Sequence, residues 1–240
     1  MKIIENHKKI DDHRRIGLYT SLAGLVILIG GFVLSLPPLP PAHTTAAPAN
    51  PIRLALAYGA LLAGLIISQL GIHYGNHWFR SSRTTERLNL ALKGLDDRYT
   101  LYHYMTAVPH LLAGPSGLWV LAPQYHNGAI HYENNRFYQK GVLLPRLFNQ
   151  PGIERSTLEV ATYQQDFQRF LKTQLNEGQI PPIQPVLVFV NSKVTVQAAD
   201  SPIVAVSLDQ LKDVLEIKEQ VSEEVDLLPV THLLPIESIT

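Results

Sequence analysis

The hydrophobic positions of the chain are concentrated in its first third, in two runs that contain no charged residue. Residues 17–36 are GLYTSLAGLVILIGGFVLSL, and residues 54–72 are LALAYGALLAGLIISQLGI. A helix rises about 1.5 Å per residue, so each run is long enough to cross a hydrocarbon core of about 30 Å. Neither run has the polar stripe that a helix in a soluble protein presents to water. The pattern predicts two transmembrane helices, over 17–36 and 54–79.

The basic residues near these runs predict how the helix pair is oriented. They flank the pair on its outer sides, and Arg53 alone lies between the runs. Because cytoplasmic segments carry an excess of Lys and Arg, residues 1–16 are expected in the cytoplasm and the proline-rich loop over 37–53 outside it. We interpret Arg53 as a long side chain that snorkels to the interface. The predicted location is the cell membrane, with two passes and both termini cytoplasmic.

Two groups of residues in this region are candidates for contacts with lipid or with another helix. The expected membrane-interface residues are Arg14, Arg15, Tyr74, Trp78, Phe79, Arg80 and Arg83. Ala60, Gly64 and Ser68 recur every four residues and form a small-residue face that another helix can approach closely. The expected partners are therefore the lipid bilayer and a second helix. That helix is either the first one or a copy from a second chain, which would make a homo-oligomer.

The charge balance changes along the chain. Residues 1–80 hold 7 basic and 3 acidic residues, whereas residues 81–240 hold 13 basic and 17 acidic residues. A net acidic second segment is not expected to bind nucleic acid strongly. The chain has no cysteine, which excludes a disulfide framework, a thiol nucleophile and a cysteine-based metal site.

Residues 81–219 alternate between helical and strand patterns, which predicts an α/β domain. Helices are predicted over 85–97 and 154–176, and from Ser207 to about residue 219. Strands are predicted over 99–108, 110–113, 118–122, 136–139, 185–190, 193–197 and 203–206. Asn127-Gly128 predicts a hairpin turn between 125–126 and 129–133. The acidic, Leu- and Pro-rich tail over 220–240 is predicted to be extended, because its prolines oppose a helix. It is interpreted as a strap on the domain, and a ligand for another protein is the alternative.

Several of these motifs resemble the nuclease-related domain (NERD) family. Gly114-Pro-Ser-Gly-Leu-Trp-Val-Leu121, followed by Asn127-Gly-Ala-Ile-His-Tyr-Glu-Asn-Asn-Arg-Phe137, is similar to the core of that domain. Thr85-Glu-Arg87 resembles the start of its first helix, and 185–215 resembles its C-terminal half. The resemblance covers 84–216 and implies a restriction-endonuclease-like αβββαβ core. In active members it also implies cleavage of phosphodiesters with Mg²⁺, which acidic side chains hold beside a lysine.

The residues that carry this chemistry in the family are replaced here. The family's Asp-His corresponds to Pro109-His110, and its Glu-x-Lys corresponds to Ala122-Pro-Gln124. Only Glu86 and His110 are retained. Proline and alanine have no side-chain atom that binds a metal, and glutamine lacks the charge of lysine. The resemblance therefore implies a degenerate site, with no catalytic residue, no bound metal and no cofactor.

Three functional hypotheses remain open. The preferred one is an inactive nuclease-fold module that binds or scaffolds an unidentified protein at the inner face of the membrane. The second is a membrane-tethered, Mg²⁺-dependent nuclease whose site has moved to other residues, for which the candidates are Glu86, Glu133, His103, His110, His126 and His131. The third is a structural membrane protein that oligomerises through its helices.

Overall fold

The computed structural model describes residues 1–36, 50–140, 152–221 and 225–239, with only the backbone at 76–81 and 220–221. The chain divides into two compact units, Lys8–Ser82 and the combination of Met1–His7 with Arg83–Thr240. The first residues of the chain therefore belong to the same unit as its C-terminal two thirds. Most of the predicted loop over 37–53 lies outside the described residues.

Two long helices form the unit Lys8–Ser82. Helix α1 spans His7–Ser35, and helix α2 spans Pro51–Ala91 and continues beyond this unit. Both are long and apolar enough to cross a membrane, and only 17% of the most apolar window of each is buried. The predicted pair of long apolar helices is confirmed at this level.

Glycines allow α1 and α2 to pack closely. Gly17, Gly24 and Gly31 are buried and recur every seven residues along α1. A Cβ added at Gly64 of α2 would lie 2.7 Å from the backbone nitrogen of Leu28, a distance that leaves no room for it. The close approach of the two backbones therefore depends on glycine at these positions.

The small-residue face of α2 packs against α1. The Cβ of Ala60 lies 3.0 Å from the place that a Cβ would occupy at Gly31. Gly64 and Ser68 both face Gly24. Of the two partners that the sequence left open for this face, the structure thus places the first helix there.

Arg53 binds the end of α1. Its Nε donates to the carbonyl oxygen of Leu34 at 3.0 Å, and its Nη2 donates to that of Leu36 at 2.6 Å. The last carbonyls of a helix have no partner within the helix and carry a partial negative charge, which a guanidinium satisfies. Arg53 thus caps α1, a role that its interpretation as a snorkelling side chain missed.

A six-stranded mixed sheet is the centre of the other unit. Its strands, in spatial order, are β1 (Lys2–Glu5), β2 (Thr100–His103), β3 (His110–Gly114), β4 (Gly117–Gln124), β7 (Ile183–Phe189) and β9 (Val204–Ser207). Strands β2, β3 and β4 are antiparallel, and the pairs β1–β2, β4–β7 and β7–β9 are parallel. A second sheet has the order β6-β5-β8, formed by β5 (Gly128–Glu133), β6 (Arg136–Lys140) and β8 (Val194–Gln197).

Helices cover both faces of the larger sheet. The end of α2 and helix α4 (Leu211–Val221) pack on one face through Leu88, Leu92 and Leu215. Helix α3 (Ile153–Lys172) packs on the other face through Val160 and Phe167. The predicted α/β character of the domain is confirmed.

The N-terminal segment differs from the predicted basic segment over 1–16. Its first residues form β1, which lies at the sheet edge and pairs with β2 from Lys2↔Thr100 to Glu5↔His103. Ile4 of this strand is only 2% exposed, so the strand contributes to the core. Helix α1 then begins at His7, ten residues before the predicted start at Gly17.

The predicted break between the second apolar helix and a helix over 85–97 is wrong. Helix α2 continues to Ala91 because Thr84 and Thr85 are buried within it and do not cap a new helix. The helical direction is lost shortly afterwards at Gly94, whose φ of +89° suits only glycine.

The predicted hairpin around Asn127-Gly128 is also wrong, because β5 begins at Gly128 and pairs with β6 and β8. The turn that joins β5 to β6 is Asn134-Asn135, with φ of +51° and +60°. Two successive residues with left-handed backbone conformation form a tight hairpin turn, and asparagine tolerates this conformation. The strand predicted after these asparagines is β6.

The tail packs on the domain as predicted, but it is not fully extended. Helix α5 spans Leu228–Thr231, against the expectation that proline would prevent a helix. Pro229 lies in its first turn, where the missing N–H has no helical partner to lose. Val230 and Leu234 are buried in the core that contains Phe167.

Candidate functional site

Pro109, Ala122 and Gln124, the positions at which the sequence resemblance implies catalytic residues, lie just before β3 and in the last part of β4. Pro109 directly precedes β3, and Ala122 lies in β4, two residues beyond the Leu111↔Val120 pair of these strands. Gln124 follows two residues later and therefore points to the same face as Ala122. This is the face that α3 covers. Ala122 is 1% exposed and packs in an apolar cluster, so no polar side chain occupies its position.

Gln124 is held by side chains of α3. The Oγ of Ser156 donates to Oε1 of Gln124 at 2.7 Å, and Nε2 of Gln124 donates to Oε2 of Glu159 at 3.3 Å. The hydroxyl of Tyr163 donates to the other oxygen of Glu159 at 2.6 Å. We call these four residues the Gln124 clamp. Ser156 is 1% exposed and Gln124 is 7% exposed, so the clamp joins β4 to α3 at a buried point.

The clamp favours one protonation state for its tyrosine. Burial raises the pKa of the Tyr163 hydroxyl, and the neighbouring Glu159 carboxylate raises it further by accepting its hydrogen bond. The phenol therefore remains a donor at neutral pH. Glu159 in turn accepts from two donors, Tyr163 and Gln124.

This arrangement differs from a two-acid magnesium site. A hard cation in such a site is held by carboxylate oxygens from adjacent strand ends, and Pro109 and Ala122 supply none. Within residues 1–36, 50–140, 152–221 and 225–239, no group of three or more His, Cys, Asp or Glu side chains is placed to hold a metal. The clamp provides hydrogen bonds between elements in the place where the family resemblance expects ligands.

His110, the retained residue, lies on the opposite face of the sheet from Gln124. It is paired with His103 across β2 and β3, and the two Nδ1 atoms are 2.7 Å apart. Nε2 of His103 is 2.9 Å from Oδ1 of Asn89 on α2. Nδ2 of Asn89 donates to Oε1 of Glu5 on β1 at 3.2 Å. We call these four residues the histidine chain.

Both histidines are neutral at ordinary pH. They are 0% and 2% exposed, and burial lowers the pKa of His103 to about 3. Burial also lowers the pKa of His110 well below its usual value, and the neighbouring His103 adds to this effect. The pair therefore acts as a neutral hydrogen-bonded link between two strands.

The other residues predicted for a relocated site do not join this pair. Glu86 is exposed on α2, and Glu133 lies at the end of β5 opposite Arg136. His126 packs edge-on against Phe189, with ring centres 6.2 Å apart. His131 pairs with a tyrosine of β6. Of the histidines proposed from the sequence, the described contacts bring together His103 and His110.

The predicted membrane-interface residues fall in the unit of two helices or at its boundary. Arg14 and Arg15 are exposed on α1, and Arg83 is exposed on α2. Tyr74 stacks on the ring of His13, with ring centres 5.9 Å apart. The side chains of Trp78, Phe79 and Arg80 lie outside the described part of the chain.

Sequence reasoning missed five residues of these two networks: Glu5, Asn89, Ser156, Glu159 and Tyr163. The last three recur at intervals of three and four residues in the sequence, so they share the face of α3 that meets the sheet. That spacing was a usable signal. Glu5 had no comparable signal, because β1 is only four residues long.

Comparisons of the chain with protein families, with curated proteins and with solved structures find no match. None of these comparisons tests the resemblance to the NERD family, which stays a prediction from the sequence motifs.

Proposed function

We propose that this protein is a two-pass membrane protein that holds a NERD-like domain at the cytoplasmic face of the bilayer. The domain would act as a binding or scaffold module without nuclease chemistry. The exposed apolar side chains of α1 and α2 support the membrane location, since only 17% of the most apolar window of each helix is buried. Lipid is the environment in which such surfaces are stable.

The observation that carries this proposal is the pairing of β1 with β2. The ladder from Lys2↔Thr100 to Glu5↔His103 joins the segment before the first helix to the segment after the second. A bilayer cannot pass between two hydrogen-bonded strands, so both segments belong on the same side of the membrane. Arg14 and Arg15 precede the apolar part of α1, which favours the cytoplasmic side.

The order of elements supports a restriction-endonuclease-like core. It runs from the end of α2 through the antiparallel strands β2, β3 and β4 to α3, and then to β7, which is parallel to β4. This is the αβββαβ order that the family resemblance implies, with the β5–β6 hairpin inserted.

The Gln124 clamp supports the loss of nuclease activity. Pro109 and Ala122 stand where the family has acids, and Gln124 is bound to Ser156 and Glu159 rather than facing an open site. A role through oligomerising helices has less support, because the small-residue face of α2 packs against α1.

The topology is testable with single cysteines, because the chain has none of its own. We expect Thr44→Cys, in the loop between the helices, to react with a membrane-impermeant maleimide added to intact cells. Ser192→Cys, which is exposed on the domain, should react only after the membrane is opened. The reverse labelling pattern, or labelling of both variants in intact cells, would refute the proposed placement.

The catalytic part of the proposal needs the full chain in lipid nanodiscs, because β1 belongs to the domain. We expect no cleavage of single-stranded or duplex DNA or RNA above the buffer level with Mg²⁺ or Mn²⁺. Metal-dependent cleavage that Glu133→Ala or Glu86→Ala abolishes would instead establish the relocated nuclease site.

A further inference from the structure

The histidine chain connects four segments that are far apart in the sequence. Glu5 lies on β1, Asn89 on α2, His103 on β2 and His110 on β3. Each contact is within hydrogen-bonding distance, from 2.7 Å between the two imidazoles to 3.2 Å between Asn89 and Glu5. A membrane scaffold does not require buried ionisable groups between β1, α2, β2 and β3. The proposed function therefore does not account for the histidine chain.

The hydrogen bonds determine the tautomer of each histidine. Asn89 uses its Nδ2 to donate to the Glu5 carboxylate, which leaves its Oδ1 as the acceptor for Nε2 of His103. Nε2 of His103 must then carry hydrogen, and because a neutral imidazole carries one, Nδ1 of His103 is an acceptor. His110 must therefore donate from its own Nδ1. All three hydrogen bonds of the histidine chain can therefore form with both imidazole rings neutral.

Among the residues that the structure describes, few groups facing the pair could offset an added proton. They are the Glu5 carboxylate from β1, at 4.0 Å from Nε2 of His103, the amide of Asn89 from α2, and the ring of Tyr104 after β2. His7, at the start of α1, faces Glu5 at 3.4 Å instead. One carboxylate does not offset the burial of two cations. Two protonated rings would also place two N–H donors against each other at the Nδ1 contact.

We propose that the His103–His110 pair is an acid-sensitive latch that holds strand β1 on the sheet. Strand β1 is an edge strand, and the Glu5–Asn89 bond ties it to the same network as the pair. When β1 opens, water reaches the network and the imidazoles regain their ordinary affinity for protons. Acid therefore favours the open state. Since α1 begins at His7, opening releases the segment that leads into the first helix.

The lowered pKa values of the two histidines determine how the stability of the closed state changes with pH. Each histidine has a lower pKa in the closed state than the usual 6.5, so its contribution to the stability of the closed state is complete above that value and is lost as the pH falls below it, toward about 3 for His103. Consider a histidine that stays neutral in the closed state and has its ordinary pKa in the open state. As the pH falls from about 7.5 to about 5.5, one such histidine lowers the ratio of closed to open molecules roughly tenfold, and two lower it roughly 100-fold.

Hydrogen exchange on the full chain in lipid nanodiscs tests the latch. After correction for the intrinsic pH dependence of exchange, we expect the amides of Lys2 and Asn6, which donate to the carbonyls of Tyr99 and His103, to lose roughly 100-fold in protection over this pH interval. The amides of Leu118–Leu121 in β4 should lose much less. His110→Gln keeps an N–H donor for His103 but does not titrate, so the loss should fall to roughly tenfold. His131→Gln, on β5 and not part of the histidine chain, should behave like the wild type.

Three results would overturn the latch. They are protection of β1 that does not change with pH, equal losses in the wild type and His110→Gln, and equal losses in β1 and β4, which would indicate unfolding of the whole domain. If His110→Gln fails to fold at neutral pH, ¹⁵N shifts of labelled histidines in the wild type decide. We expect His103 as the Nε2–H tautomer and His110 as the Nδ1–H tautomer, and the Nε2–H form of His110 would contradict the proposal.

Discussion

At the scale of single residues, the Gln124 clamp shows how a position expected to serve catalysis can serve packing instead. Gln124 is recognisable in the sequence from the family motif, but its partners are not. Ser156 and Glu159 follow it by 32 and 35 residues and reach it only when α3 lies on the sheet. The spacing of Ser156, Glu159 and Tyr163 predicts that they lie on one face of α3. It does not predict which strand that face contacts.

Ser156→Ala should destabilise the domain. The substitution leaves Oε1 of Gln124 without its donor in a buried site, which typically costs about 1–3 kcal/mol. The free energy of unfolding, from urea titration of the full chain in nanodiscs followed by tryptophan fluorescence, measures the effect. Thr162→Ala on the exposed side of the same helix is the matched control, with an expected change below about 0.5 kcal/mol. Equal effects would mean that the clamp does not contribute.

At the scale of elements, helices and strands could be predicted where their own residues determine them and could not where a distant segment completes them. Two apolar runs of membrane length predict α1 and α2 because burial in lipid needs no distant partner. Strand β1 has only four residues and is completed by β2, about 100 residues away, so its own alternation was too short to detect. Asn127-Gly128 and Asn134-Asn135 carry similar turn signals, and only pairing with other strands decides which one forms the hairpin.

The close packing of α1 and α2 predicts unequal effects for two glycines on the same helix. Gly24→Leu should lower the midpoint temperature of unfolding in detergent, because a side chain there collides with the backbone of Ser68. Gly30→Leu is the control, since no atom of the described residues lies within 4 Å of a Cβ at that position. Equal midpoints would refute the packing of the helix pair. A change in oligomeric mass by light scattering would favour the structural hypothesis instead.

Arg53 offers a second test of the helix pair. Arg53→Ala should cost about 1 kcal/mol and raise amide exchange in the last turn of α1, because the carbonyls of Leu34 and Leu36 lose a charged donor. Arg53→Lys should recover only part of this, since a single ammonium does not match the fork of a guanidinium. Full recovery by lysine would show that charge alone is sufficient.

At the scale of the whole molecule, the two ends of the chain meet on one sheet edge. The N–H of Ile239 donates to the carbonyl of Glu5 at 3.0 Å, and the N–H of His7 donates to the carbonyl of Ile239 at 2.9 Å. The tail also covers the core beside β1 through Val230 and Leu234. Composition predicted that the tail would lie on the domain, but no local pattern predicted that it would pair beside β1.

Val230→Ala should therefore destabilise the domain by about 1–3 kcal/mol, because the side chain is fully buried against the core. Ile236→Ala is the matched control, because Ile236 is 74% exposed and its change should stay below about 0.5 kcal/mol. Chemical denaturation of both variants in nanodiscs provides the comparison. Similar values would mean that the tail is a loose extension.

The pairing of β1 with β2 also sets an order of events during synthesis. Strand β1 leaves the ribosome before both apolar helices, its partner β2 follows only after them, and the residues that close over β1 are made later still. Contacts of such long sequence separation form late. Strand β1 must therefore wait for its place in the sheet until both helices have been made, so the sheet is completed only after the helix pair has been synthesised.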